Sequence, residues 1–406
     1  MRILWVKSGP LFPLNTGGRR RTHAMLAELA RRHHVTYLAN LPEGQTLAEG
    51  EAEAPYAARK IWIPSREPAE GTFAWARDVT TNLLLSTQPY VLDRYRNPDL
   101  AAKLLEFDAS GDFDVIVCDF LTPAVNFDFD RLRTPAFLFQ HNVEAQIWRR
   151  LAEEKGNPLV RLLFRDQWRR MAAAEASLAA RFRGVVAVSP EDAAHHRDVY
   201  GLANLLGAVP TGVDTEQFRP PEPREPETGT IGFLGSMDWM PNIECVVHFA
   251  REILPAVRAR RTGARFLVIC RDPAPAVRRL AEEDPGIELT GTVEDVRAHL
   301  DRCELLVVPL RSGGGTRIKI FEAMAQGVPV VSTRIGAEGL PVRDREHLLL
   351  ADDPSAFADA VVEMLSQPQL AADLASRARE LVVRDHGWDA VAAAFVALIE
   401  GGTVSA

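Results

Sequence analysis

The sequence predicts an α/β protein made of two doubly wound units, each with a parallel sheet. Three observations carry that expectation. Short apolar runs rich in β-branched and aromatic residues alternate along the chain with longer helical patterns, as in successive βαβ units. These runs lack period-2 alternation, as expected of strands covered on both faces. A connector, Arg219–Thr230, interrupts the pattern with Pro220, Pro221, Pro223 and Pro226, a density that precludes regular structure. The length of 406 residues fits two domains at roughly 100–200 residues each. The simplest arrangement is two αβα units facing each other, with a ligand in the cleft between them.

In chain order, the first half offers strands at Ile3–Val6, Val35–Ala39, Ile61–Ile63, Val115–Cys118, Ala136–Phe139 and Val185–Val188. The second half offers Ile231–Leu234, Phe266–Cys270, Ile287–Leu289, Leu305–Val308, Val328–Val331 and Leu348–Leu350. Helices are expected from about Arg19 to Arg32 and over Asn242–Arg261, Val293–Leu300, Arg317–Gln326 and Pro354–Leu365. The expected domains are 1–203 and 204–384, with a closing helix over 385–406 that packs back on the first.

Composition narrows the function classes. With 47% hydrophobic and 25% charged residues, the chain is not a disordered one. A net charge of −8 argues against a dedicated nucleic-acid binder. Of 47 basic residues only five are lysines: Lys7, Lys60, Lys103, Lys155 and Lys319. A compositional bias explains the excess of arginine, and each remaining lysine gains interest. Cys118, Cys245, Cys270 and Cys303 form no C-x-x-C pair. They read as reduced thiols of a cytoplasmic protein. No apolar run approaches the roughly 18 residues of a membrane span, and the first residues do not read as a signal peptide. The segment Thr72–Tyr95, with Phe73, Trp75, Leu83, Leu84, Leu85, Tyr90 and Tyr95, reads mainly as core. Any apolar surface it leaves exposed would let the N-terminal domain touch the inner face of a membrane peripherally.

The most informative segment is Pro309–Leu340. A strand runs into Gly313, Gly314 and Gly315, Thr316 reads as an N-cap, and Gly327 as the left-handed residue closing the helix. Glycines admit a ligand to the backbone, and a helix N-terminus attracts anions. Arg317 and Lys319 in the first turn oppose the helix dipole unless an anion sits there. A phosphate site follows. Glu322 lies one turn after Lys319: it is either a surface salt-bridge partner or a carboxylate accepting ribose hydroxyls.

Elsewhere, His141 ends a strand, at the sheet edge where α/β proteins present ligand-binding residues. Asp119 also ends a strand and reads as a helix-capping or loop carboxylate. Gly17 and Gly18 precede a helix without the G-x-G-x-x-G spacing; they suggest close approach of backbone to a phosphate. Arg19, Arg20 and Arg21 fit either a solvated face or an anionic acceptor, whereas Arg161, Arg165, Arg169 and Arg170 read as a solvated face. Asp128 and Asp130 have D-x-D spacing but lie in a loop-like stretch, so no metal clamp is expected.

Together these segments resemble glycosyltransferase family 4. The resemblance rests on Gly17-Gly18, on HNVE at His141–Glu144, on VAVSPED at Val186–Asp192 and on VPTGVDTEQFRP at Val209–Pro220. GSMDWMPN at Gly235–Asn242 and FEAMAQGVPVVST at Phe321–Thr333 complete the series. It covers nearly the whole chain and implies the GT-B fold, with two facing Rossmann-like domains, acceptor side first and donor side second. It further implies a retaining, metal-independent transfer of a hexosyl unit from a nucleoside-diphosphate sugar, UDP- or GDP-linked, to an acceptor hydroxyl on a glycan, lipid-linked or natural-product acceptor, with no cofactor.

Carried over by resemblance, His141 contacts the donor sugar near the reacting carbon and Glu322 the ribose. Gly17, Gly18, Gly235, Ser236, Gly313, Gly314, Gly315, Thr316, Arg317 and Lys319 hold phosphate or sugar, and Gly291 and Thr292 lie near the base. Two departures stand out. The family's first motif glutamate is replaced by Gly314, and the Arg and Lys that many members carry after the second domain's first strand are absent from GSMDWMPN. Arg317 and Lys319 then take over the pyrophosphate charge. The rivals are another GT-B activity, such as a nucleotide-sugar epimerase or a phosphorylase, and a non-catalytic nucleotide-sugar-binding protein.

Overall fold

The computed structural model describes residues 1–14, 16–68, 71–154, 158–237, 239–311 and 317–404, with backbone alone at 154, 158, 159 and 404. The chain divides into two compact units, Met1–Pro210 with Val391–Ala406 and Thr211–Ala390. The divisions fall seven and six residues beyond the expected boundaries, after 210 and 390 rather than 203 and 384.

The first unit holds a seven-stranded sheet in the order β3-β2-β1-β4-β5-β6-β7. Its strands are β1 (Arg2–Lys7), β2 (His34–Pro42), β3 (Arg59–Ser65), β4 (Val115–Asp119), β5 (Ala136–Phe139), β6 (Gly184–Ala187) and β7 (Leu205–Ala208). Every pairing is parallel. The strand order reverses direction between β1 and β4, and such switch points open a crevice at the C-terminal strand ends. The centre of this sheet is fully buried: β4 and β5 expose no residue. Strand β7 is absent from the sequence reading. Its four residues include Gly207 at φ +150°, and a run this short carries no periodic signal.

The second unit repeats the plan with six parallel strands in the order β10-β9-β8-β11-β12-β13. These are β8 (Thr230–Leu234), β9 (Arg265–Ile269), β10 (Ile287–Leu289), β11 (Leu305–Val308), β12 (Val330–Ser332) and β13 (Leu349–Leu350). The switch point here lies between β8 and β11.

Several helices differ from expectation for local reasons. The first begins at Gly17, two residues early, because Thr16 caps it by accepting from the Arg19 N–H at 3.4 Å. The expected helix over Asn242–Arg261 is α-helical over Met240–His248, widens to a π turn over Phe249–Ile253, and resumes over Leu254–Arg258. Pro255 is the cause: it offers no N–H and crowds the carbonyl four residues back. The helix expected at Val293 begins at Arg297, after Asp295 accepts the Arg297 N–H. The closing helix Trp388–Val404 supplies Phe395, whose ring packs 5.7 Å from Trp5 and 4.9 Å from Phe139 in the first unit's core. All four cysteines are buried free thiols.

The segment read mainly as core is in part exposed. In the helix Phe73–Leu85, Phe73, Leu84 and Leu85 are 86%, 76% and 83% accessible. Arg170 explains how this helix is held: its guanidinium donates to the carbonyls of Asn82, Leu83 and Ser86, closing the helix end. Arg161, Arg165 and Arg169 are exposed, as expected of a solvated face.

Candidate active site

In the first unit, the ends of β1 and β4 bring together residues far apart in sequence. Lys7 closes β1 and Asp119 closes β4, both buried. Lys7 Nζ donates to Asp119 Oδ2 at 2.8 Å, and Thr22 Oγ1, from the first helix, donates to the same oxygen at 2.7 Å. Trp5 Nε1 adds a third donor at 3.0 Å. The other carboxylate oxygen, Oδ1, lies 2.6 Å from His141 Nε2. Asp119 is therefore the hub of the switch point, not the helix-capping or loop carboxylate that its sequence suggests. Burial alone would raise its pKa, but Lys7 and His141 outweigh that and hold it well below the usual carboxylate range. His141 is pushed down to about 4, chiefly by burial, so its ring is neutral at pH 7.

The His141 ring is clasped on both sides. Phe120 stacks on it with centroids 4.0 Å apart, and Phe139 meets it edge-on at 4.8 Å. Phe120 reaches that position with φ +72°, a conformation that a bulky side chain adopts only under constraint. Lys7 Nζ lies 4.4 Å from the centre of the same ring.

This packing separates the two glycines expected at a phosphate. A Cβ on Gly18 would stand 3.1 Å from the Phe120 ring, whereas one on Gly17 would meet nothing within 4 Å. Gly18 makes room for Phe120; Gly17 leaves open backbone at the helix start. The neighbouring arginines have distinct tasks. Arg19 and Arg20 donate to the carbonyls of Pro13 and Leu14, bracing the loop after β1. Arg21 is buried, donates to the Val209 carbonyl at 2.7 Å and lies over Phe139, which fits neither a solvated face nor an acceptor contact.

Beyond His141, the buried Glu175 accepts from Gln140 Nε2 and from the N–H groups of Glu144 and Ala145, capping the helix Glu144–Glu154 from 30 residues away. Glu144 itself is pushed up to about 7 by burial and by Glu175. Glu175, like Lys7 and Thr22, carries no motif that sequence reading could catch; the lysine shortage was the one hint toward Lys7.

In the second unit, Lys319 stands at the switch point. It belongs to the helix Ile318–Ala325 that follows β11, and its Nζ donates to Asn242 Oδ1 at 2.7 Å. Asn242 in turn donates to the Ser236 carbonyl at 2.7 Å, just past β8. Lys319 Nζ lies 4.5 Å from the centre of the Phe233 ring. A Cβ on Gly235 would stand 2.9 Å from that Nζ and 2.8 Å from Asn242 Nδ2. Glycine at 235 thus lets the ammonium lie against the end of β8. Burial pushes Lys319 down to about 8, with Arg317 acting in the same sense and Glu322 against it.

Arg317, 3% exposed, occupies the N-cap position and donates to the Ile335 carbonyl at 3.1 Å. Glu322 is half-buried one turn on. Gly327 closes the helix at φ +69°, as expected. Gly291 has φ +67° with open space around it, and Thr292 is exposed beyond β10. Gly313, Gly314, Gly315 and Thr316 lie outside the described residues. The structure thus gathers Gly235, Ser236 and Lys319 around Asn242, with Arg317 and Glu322 on the same short helix. Among the described residues, no group of three or more His, Cys, Asp or Glu could hold a metal ion.

Comparison with known proteins identifies the family. Residues 15–217 match Glycosyltransferase Family 4, and residues 228–367 match Glycosyl transferases group 1. The chain is 28% identical over 239 residues to the GDP-mannose-dependent alpha-(1-6)-phosphatidylinositol monomannoside mannosyltransferase of Mycobacterium tuberculosis, a match covering 53% of this chain and 61% of that one. It is 28% identical over 235 residues to D-inositol 3-phosphate glycosyltransferase 2 of Catenulispora acidiphila, covering 52% and 54%. The chain therefore spans less than two thirds of the length of these relatives. The fold is similar to that of Anabaena HepE in complex with UDP, with a TM-score of 0.66, 14% identity and coverage of 99% and 100%. Sucrose-phosphate synthase from Thermosynechococcus elongatus gives 0.66, 18% and 100% of each chain. The fold is GT-B. The first match extends over half of the sequence and takes in Thr22, Asp119 and His141, the second falls on the other sheet with Gly235, Asn242 and Lys319, and the chain belongs to glycosyltransferase family 4.

Proposed function

We propose that the chain transfers a hexosyl unit from a nucleoside-diphosphate sugar to an acceptor hydroxyl, with retention of configuration and without a metal. The observation that carries this reading is the Lys319 site: a half-buried ammonium at the β8–β11 switch point, held by Asn242 and given room by Gly235. A diphosphate gathers negative charge as it leaves the sugar, and fixed cations already in place stabilise that charge without reorganisation. Lys319 and Arg317 supply them. Glu322 receives the ribose hydroxyls, and the open backbone near Gly291 and Thr292 receives the base. In the first unit, His141 faces the sugar and Gly17 offers bare backbone.

The relatives' names supply the donor class, GDP-mannose, and an inositol-containing acceptor. HepE was solved with UDP. A lipid-linked acceptor agrees with the exposed Phe73, Leu84 and Leu85, which would let the first unit rest on a membrane surface. No described helix is long and apolar enough to cross one.

A thermal-shift panel of UDP-, GDP-, ADP- and TDP-sugars tests the donor site, since a ligand that binds the native state raises Tm. At least one donor should raise Tm, and Lys319→Ala and Glu322→Ala should each remove that rise. If both variants respond like the wild type, the donor binds elsewhere.

A further inference from the structure

The cluster around Asp119 is more elaborate than a buried ion pair needs to be. Oδ2 is saturated by three donors, Lys7, Thr22 and Trp5, and Lys7 Nζ also reaches Thr22 Oγ1 at 2.9 Å. Only Oδ1 remains to face His141. The charges confirm which form of the ring is favoured. Lys7 and Asp119 cancel, and Arg21 is the other cation near the ring, itself close to Asp192. An imidazolium would leave one positive charge unbalanced. A carboxylate oxygen 2.6 Å away favours the neutral tautomer whose proton sits on the nitrogen that faces it. Both ring nitrogens and Asp119 Oδ1 are buried outside hydrogen-bond geometry among the described residues: Nε2 lies close to Oδ1 in a bent contact, and Nδ1 has no partner. A buried acceptor left in that state is costly unless a ligand completes it.

We propose that Asp119, clamped by Lys7, Thr22 and Trp5, is a positioning residue for His141: it fixes the Nε2–H tautomer and leaves Nδ1 as an acceptor for a hydroxyl of the sugar. Phe120 and Phe139 fix the plane of the ring, and Asp119 fixes which nitrogen carries the proton. This inference rests on the transferase reading for the identity of the hydroxyl, but the tautomer is a property of the protein by itself.

The test therefore has two independent arms. In the first, the full-length protein is labelled with 15N-histidine and the His141 ring is assigned by comparison with His141→Gln. The wild type should show a protonated Nε2 and a pyridine-like Nδ1 at pH 7. In Asp119→Asn, whose amide can donate where the carboxylate accepted, the pattern should invert, as a carboxylate-to-amide change inverts a histidine elsewhere. A wild-type ring protonated at Nδ1, or a pattern unchanged in Asp119→Asn, overturns the proposal. The wild-type spectrum decides this even if the variant does not fold.

In the second arm, hydrolysis of GDP-mannose and of UDP-glucose is followed without acceptor. Asp119→Asn should lower kcat by about 10²-fold, the scale expected of a misplaced group, with KM for the donor unchanged. An unaltered kcat overturns the positioning role. If the wild type hydrolyses neither donor yet shows the Nε2–H signature, the donor assignment fails and the control of His141 by Asp119 stands.

Discussion

Lys319 shows how one residue's surroundings set a measurable property. Its ammonium titrates near 8 because burial and the neighbouring Arg317 disfavour the charge more than Glu322 restores it. Lys319 is cationic below pH 8 and loses that charge above it, leaving Arg317 as the remaining cation. Affinity for UDP-glucose, or for whichever donor binds, should be flat from pH 6 to about 7.5 and fall above 8. The bound diphosphate favours the charged form, so binding at pH 8.5 should draw a proton from solution. Calorimetry in two buffers of different ionisation heat measures both effects. Binding independent of pH between 7 and 9.5, with no proton taken up, would exclude Lys319 from the phosphate contact.

Among elements, the helix Gly17–Ala30 gives the sharpest contrast. Its two leading glycines look equivalent in sequence and differ in space. Gly17→Ala adds a methyl in open surroundings and a better helix former, so stability should hold or rise by up to about 1 kcal/mol. Gly18→Ala pushes on the Phe120 ring at 3.1 Å and should cost about 1–3 kcal/mol, the range for overpacking. Urea denaturation of the two variants separates them. This pair also marks the limit of what sequence can say. Apolar runs located nearly every strand because burial on both faces leaves an unmistakable composition. The helix ends that shifted did so through single hydrogen bonds or a proline. The proximity of Lys319 and Gly235 was legible because they sit in one helix and one strand turn with local motifs. Asp119, Lys7 and Thr22 were not: their partnership spans 112 and 97 positions and exists only once β1 and β4 pair. Thr72–Tyr95 was misjudged in part because composition cannot tell which apolar side chains a helix turns outward.

For the molecule as a whole, buried histidines shape the response to acid. His141 and His196 are both pushed down to about 4 by burial, from an ordinary value of 6.5. Above pH 6.5 they are neutral whether folded or not and have no effect. Between 6.5 and 4 the unfolded chain takes up protons that the native state refuses, so stability falls with pH. Below 4 the loss is complete and constant. Glu144, pushed up to about 7, works in the opposite sense over part of this range, so the contribution of one histidine is best isolated by substitution. Relative to His196→Gln, the wild type should lose up to about 3 kcal/mol between pH 6.5 and 4 and nothing outside that window. Denaturant midpoints for the two proteins at pH 7.5, 5 and 3.5 check this; parallel curves would show that His196 is protonated as easily in the native state as in the unfolded chain.

Phe395 lies against Trp5 and Phe139, yet nearly the whole of the other sheet is translated between them. Of the two units, the one translated first is therefore the last to be finished. Its parallel strands can pair early, but its core stays unsealed on that side until the Trp388–Val404 helix emerges, long after Thr211–Ala390 has had the opportunity to fold. Maturation of the first unit then waits on the Trp388–Val404 helix, and a nascent polypeptide holding only residues 1–210 offers a chaperone an apolar seam where that helix will later lie.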